Sequence, residues 1–124
     1  MDAKNTIRIC NVDYDLQFIE DLRTSKGDRC DGLILFSRSE IYIDKCLLPQ
    51  AKYQTLWHEI IHGISTAVGV KLTEEQIEAV SYAVIGVIRD NQAILNRMNP
   101  YNNGELKHYK KKSIIRTVKE NDIV

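Results

Sequence analysis

The hydrophobic pattern of this chain changes period near residue 45, from alternation to helical spacing. In residues 6–12 (TIRICNV), Ile7 and Ile9 fall on one side at period two, as a half-buried strand requires. Asn11-Val12-Asp13 offers turn chemistry. Tyr14, Leu16 and Phe18 then alternate through YDLQFIE and read as a returning strand, although Leu16, Ile19 and Leu22 also fit a helical spacing. Arg23–Asp31 is polar, contains Gly27 and reads as a loop. GLILFS (Gly32–Ser37) and EIYID (Glu40–Asp44) are rich in β-formers and flank the polar pair Arg38-Ser39, which predicts a second hairpin.

Pro49 suits the first turn of a helix, and the pattern predicts that this helix runs to about Val68. At about 100° per residue, Trp57, Ile60, Ile61, Ile64 and Val68 share one stripe, with His58 and His62 at its margin. Gly69–Leu72 leads to a second helix, where Thr73 is a good N-cap and Gln76 completes a capping box. Its stripe is Ile77, Val80, Val84, Val87, Ile88 and Leu95, and Pro100 stops it near Met98. The expected architecture is α+β: a small antiparallel sheet of β-hairpins followed by an antiparallel helix pair. Residues 1–99 are expected to form the domain and 100–124 a basic tail.

Composition narrows the partners. The 124 residues carry 17 Lys+Arg and 17 Asp+Glu, so no field of one sign points to nucleic acid or an acidic membrane. Residues 105–124 hold six Lys/Arg against three Asp/Glu, an excess that a solvated terminus explains. Cys10, Cys30 and Cys46 are odd in number and form no CxxC, which argues against a disulfide framework and suits a reducing compartment. The charged start MDAKNTIR is unlike a signal peptide, and no run approaches the ~20 apolar residues of a membrane span. A cytoplasmic location is expected.

The chemistry concentrates in TLWHEIIHGIS (Thr55–Ser65), which contains the pattern HExxH as His58, Glu59 and His62. Histidines four residues apart stack on one helix face and can hold one zinc ion from a single rigid element. Glu59, turned about 100° around the helix from His58, is placed to act as the base for a water. The intervening Ile60 and Ile61 and the uncharged flanks fit a buried metal helix better than a solvent face. A catalytic zinc site needs a third protein ligand. Glu74, Glu75 and Glu78 are the candidates on the second helix. Acids in a first turn are accounted for by the positive helix end, which weakens Glu74 and Glu75. Glu78 lies about 120° from the centre of its stripe and faces the histidines if the helices pack stripe to stripe.

HEIIH, followed by a helix bearing EAVSYA (Glu78–Ala83), resembles the HExxH … EADAFA pattern of the ImmA/IrrE-type metallopeptidases, most of all their small phage- and prophage-encoded members. The likeness covers roughly residues 5–99, with Val80, Ser81 and Tyr82 departing from the consensus. It implies a minimal zincin-like fold, one Zn2+ per chain, Glu78 as third ligand beside His58 and His62, and Glu59 as catalytic base. The implied activity is hydrolysis of a protein or peptide substrate, such as a phage or mobile-element regulator. The chain contains no helix-turn-helix segment, so that target is expected to be a separate protein. Tyr82, one turn beyond Glu78, is the candidate oxyanion donor, against a packing role; His108 in the tail is a weaker one. Glu40–Asp44 would pair with an extended substrate if it lies at a sheet edge. The alternatives are a zinc-binding but non-catalytic interaction module and a metal-independent interaction protein of the same fold. None of these readings implies a particular oligomeric state.

Overall fold

The computed structural model describes residues 5–101. It contains β1 (Thr6–Ile9), β2 (Val12–Ile19), β3 (Gly32–Leu35), β4 (Glu40–Asp44), α1 (Pro49–Val68), α2 (Glu74–Asp90) and α3 (Gln92–Met98). The class is α+β. Residues through Arg89 form one compact unit, and α3 belongs to the segment that follows. All but the first two residues of the expected basic tail, His108 among them, lie outside the described residues. No described helix is long and apolar enough to cross a membrane.

Residues 14–19 are strand, not helix. Cys10 and Asn11 form the turn between β1 and β2, with φ of 47° and 71°. Two successive positive φ values are what a tight mirror-image hairpin turn needs, so the turn comes a residue before the expected Asn11–Asp13.

The strand order is β1-β2-β4-β3. Both hairpins are antiparallel, yet they join through β2 and β4, which run parallel with Leu16 opposite Ile41 and Phe18 opposite Ile43. The expected antiparallel sheet is therefore mixed. Burial explains the order: Ile41 and Ile43 are 0% and 1% exposed, so β4 takes an interior place and β3 goes to the rim. Parallel neighbours need a long crossover, here residues 20–39 with β3 inside them. The crossover is tied down at the end of β4, where the Asp44 N–H donates to the Asp31 carbonyl at 2.8 Å and the Lys45 N–H to that of Ile19 at 2.9 Å.

Strand alternation sorts the two faces. Ile9, Tyr14, Ile41 and Ile43 form the core, with Ile7, Leu16 and Ile34 beside them. The other face carries the Arg8–Asp13 ion pair and a Glu40 carboxylate that accepts from Gln17 and Tyr42.

α1 lies over the apolar face, packing Leu56 and Ile60 on the core. Its buried positions are Glu59, Ile61 and Gly63, whereas Ile64 and Val68 of the expected stripe are exposed. Two glycines account for this rotation. A Cβ on Gly32 of β3 would lie 2.5 Å from Thr55 Cγ2 and 3.2 Å from Glu59 Oε2, and one on Gly63 would lie 2.8 Å from Ile9 Cδ1. Their absence lets the helix settle on its Glu59–Gly63 flank. Gly69, at φ 73°, ends α1 in the left-handed conformation.

The capping box of α2 is formed: the Thr73 N–H donates to Gln76 Oε1 at 2.9 Å and the Gln76 N–H to Thr73 Oγ1 at 3.1 Å. Ile77 and Ser81 are its buried positions, while Val80 and Val87 are exposed. The second helix ends at Asp90 rather than Met98, so Leu95 falls on α3 and is also exposed. Asp90 and Asn91 sit at the break, and both residue types favour helix ends over interiors.

Gly32→Ala is expected to cost about 1–3 kcal/mol of unfolding free energy through overpacking, measured by chemical denaturation. Adding Thr55→Ser, which removes the nearest atom, should recover part of that loss. A Gly32→Ala protein as stable as its parent would mean that α1 does not sit this close to β3.

Candidate metal centre

His58 and His62 project from one flank of α1 with ring centroids 4.9 Å apart. Glu74 and Glu78, also four residues apart, share a face of α2 with the buried Ile77 and Ser81. The two faces meet. Glu74 Oε1 lies 2.7 Å from His62 Nε2, and its Oε2 lies 3.1 Å from His58 Nε2. Glu78 Oε2 lies 2.7 Å from the other ring nitrogen of His58, Nδ1. The earlier glutamate reaches both histidines and the later one only the earlier histidine, so α2 runs back along α1.

His58, His62 and Glu74 thus each offer a ligand atom, all within 4.8 Å of one another. In a tetrahedral site with bonds of ~2.0–2.1 Å, ligand atoms stand about 3.3 Å apart, close to the Glu74 distances. Two imidazoles and a carboxylate are a donor set suited to a catalytic zinc. The sequence expectation placed Glu78 there. The structure brings Glu78 to the cluster, but the carboxylate that spans both Nε2 atoms is Glu74. The connector between the helices is only residues 69–73, which keeps the first turn of α2 beside the end of α1. Glu75 takes no part in these contacts.

Glu59 lies against the start of β3. It is 6% exposed. Burial raises its carboxyl from the ordinary 4.5 to about 7, with His58 pulling it down and Glu74 pushing it up. A carboxyl poised there can both take and give a proton near neutrality. Glu59, His58, Glu78, Tyr82 and Gly32 line one cavity of about 280 Å³. Tyr82 is 52% exposed and so is a wall residue rather than a core one. Burial, then the Glu59, Asp31 and Asp44 carboxylates, push the Cys30 thiol upward.

Two expectations about neighbouring elements change. β4 is interior, so it has no free edge for a substrate; β3, whose first residue Gly32 lines the cavity, is the edge strand on that side. Glu74, set aside as a helix-end acid, is the residue that joins the histidines. Its signal was its spacing, one turn before Glu78 on the same face. Comparison with protein-family models, with curated proteins and with solved structures finds no match.

An acid with a higher pKa folded than unfolded holds more protons when folded, so stability falls as pH rises through the window, here from 4.5 to about 7. Metal-free Glu59→Gln protein lacks that slope. Its stability relative to the parent should grow by roughly 2–3 kcal/mol between about pH 4.5 and pH 8, read by denaturant unfolding in the presence of chelator. A difference that stays flat with pH would mean that burial does not raise the Glu59 carboxyl.

Proposed function

We propose that this chain is a zinc-dependent metallopeptidase of the ImmA/IrrE type, hydrolysing a peptide bond in a separate protein. One convergence supports the reading: Glu74 Oε1 and Oε2 stand 2.7 and 3.1 Å from the Nε2 atoms of His62 and His58, beside a cavity into which buried Glu59 opens. His58, His62 and Glu74 hold the zinc in this reading. The Glu78 carboxylate accepts from His58 Nδ1–H, which fixes the tautomer that leaves Nε2 free for the metal. Glu78 thereby moves from the third ligand to the residue that orients the first.

Zinc held by His58, His62 and Glu74 would supply Lewis acidity to the attacking water and to the carbonyl under attack. Glu59 takes the proton from the attacking water and passes it to the leaving amine. The burial of its side chain against β3 limits exchange of that proton with bulk water. Tyr82, on the cavity wall one turn beyond Glu78, donates its phenol hydrogen to the developing oxyanion. An extended substrate pairs with the open edge of β3, beside the cavity.

Zinc affinity should rank the glutamates. Glu74→Ala is expected to abolish stoichiometric binding, Glu78→Ala to weaken it about 10–100-fold as outer-shell changes do, and Glu75→Ala to leave it unchanged. The reverse order for Glu74 and Glu78 would return the ligand role to Glu78. A wild-type protein that takes up no zinc would end the metallopeptidase reading.

Glu59→Gln separates binding from chemistry. The variant should retain one zinc per chain while hydrolysis of a sensitive peptide falls by roughly two orders of magnitude or more. Zinc-loaded wild-type protein that cleaves nothing would favour the non-catalytic interaction module.

A further inference from the structure

The close seat of α1 on β3 leaves the end of β2 uncovered. Leu16 and Phe18 of β2 form the floor of a second groove there, and Pro49, Lys52, Tyr53 and Leu56 of α1 form its wall. It shares no lining residue with the cavity at His58. At about 100° per residue, these α1 positions stand about 160° around the helix from Ala51, Gln54, Thr55 and His58, which line that cavity. The two openings therefore lie on opposite flanks of one helix.

The groove is apolar and exposed. Phe18 is 43% and Tyr53 45% exposed, and Leu48, next to Pro49, is 76% exposed. Single exposed apolar residues are ordinary, but a contiguous patch marks an interaction surface. Leu48 is also the N-cap of α1 and makes no side-chain cap bond, where a serine or aspartate would hold the helix better. Helix stability does not account for a leucine at that place.

The charge of the groove is positive. Lys52 is its one charged lining residue. The Lys52 ammonium rests over the Phe18 ring, 5.6 Å from the centroid, and no described carboxylate pairs with it. The first turn of α1 carries no acid, so the positive end of the helix adds to the lysine. The cavity on the other flank is the reverse: Asp31, Glu59 and Glu78 line it, and no lysine or arginine does. A partner that joins apolar side chains to carboxylates complements the first opening and is repelled by the second.

We propose that this groove docks a peptide segment of another protein in which aliphatic side chains stand beside carboxylates. The aliphatic groups cover Leu16, Phe18 and Leu56 and remove their exposed area from water. A carboxylate meets Lys52 and the start of α1. The site needs no metal and stands apart from the peptidase reading. In a peptidase, it holds the substrate protein on the flank away from the metal, through residues other than those cleaved.

The test uses binding. Full-length protein is titrated with the blocked hexapeptide ADLLDA, with its basic counterpart AKLLKA and with its polar counterpart ADSSDA, following the amide resonances of Phe18, Lys52 and Tyr53. ADLLDA should bind about fivefold more tightly than either, an effect on the scale of one partly screened ion pair or one half-buried apolar side chain. Phe18→Ala and Tyr53→Ala, both at exposed positions, should each weaken ADLLDA about three- to tenfold. Lys52→Glu should favour AKLLKA instead, a gain that misfolding cannot imitate. Chelator should leave all of these affinities unchanged. Equal affinities for the three peptides, or an acidic preference that survives in Lys52→Glu, would overturn the assignment. So would shifts centred on Gly32 and Thr55, or binding that requires zinc, because both place the peptide in the other cavity. Wild-type protein that dimerises through this face, with Phe18→Ala monomeric, would make a second copy the occupant and remove the proposal. None of these results touches the peptidase reading, which zinc uptake and the Glu59→Gln variant decide.

Discussion

The close seat of α1 on β3 is the constraint on which the site depends. Where Gly32 faces Thr55 and Glu59, the helix approaches to a distance that no side chain on the strand would permit. That approach turns Glu59 inward, and the same rotation carries His58 and His62 to the flank that α2 covers. The HExxH carboxyl and imidazoles therefore come from one helix but face different surroundings: a close seat against β3 for the carboxyl, and a polar seam between helices for the imidazoles. Desolvation raises the proton affinity of the first, and carboxylate contacts orient the second.

The seam shows how one feature can serve two ends. Acids in the first turn of α2 suit its positive end, and the Thr73–Gln76 capping box fixes where that turn begins. The short connector then sets the first turn against the histidines. Glu74 complements the helix end and reaches both imidazoles; these are not competing explanations of one residue. Glu78, one turn on, meets the back of His58. Because both glutamates share the face of Ile77 and Ser81, the burial that holds α2 in place also aims them.

What the sequence made legible was local. The span of α1, its start at Pro49 and stop at Gly69, the capping box, the two hairpins and the HExxH spacing depend on residues within a few positions of one another. The strand order, the rotation of α1, the break at Asp90 and the choice between Glu74 and Glu78 depend on tertiary partners. Helical periodicity placed Ile64 and Val68 in the core, because it assigns every apolar residue of a stripe equal weight. It could not weigh Gly32 and Gly63, whose missing side chains decide which flank comes closest. A glycine opening an apolar strand was the available signal. The ImmA/IrrE resemblance drew attention to Glu78, while the contacts of Glu74 with both histidines became visible only in the geometry.

The mixed sheet is connected to the site rather than incidental to it. Ile41 and Ile43 are the most deeply buried strand residues, and burying both demands neighbours on each side of β4. Once β2 and β3 occupy those places, the crossover must pass the end of β4, which puts Asp31 and Gly32 beside the helix that follows that strand. β3 is left as a four-residue edge. Short edges are one way in which proteins avoid uncontrolled pairing, and an edge that opens next to a polar cavity has a use for its unpaired backbone groups. The demand for a dry core thus produces the arrangement on which the peptidase reading draws: a free strand edge, a buried acid and His58 at one cleft, with His62 one turn further along the helix.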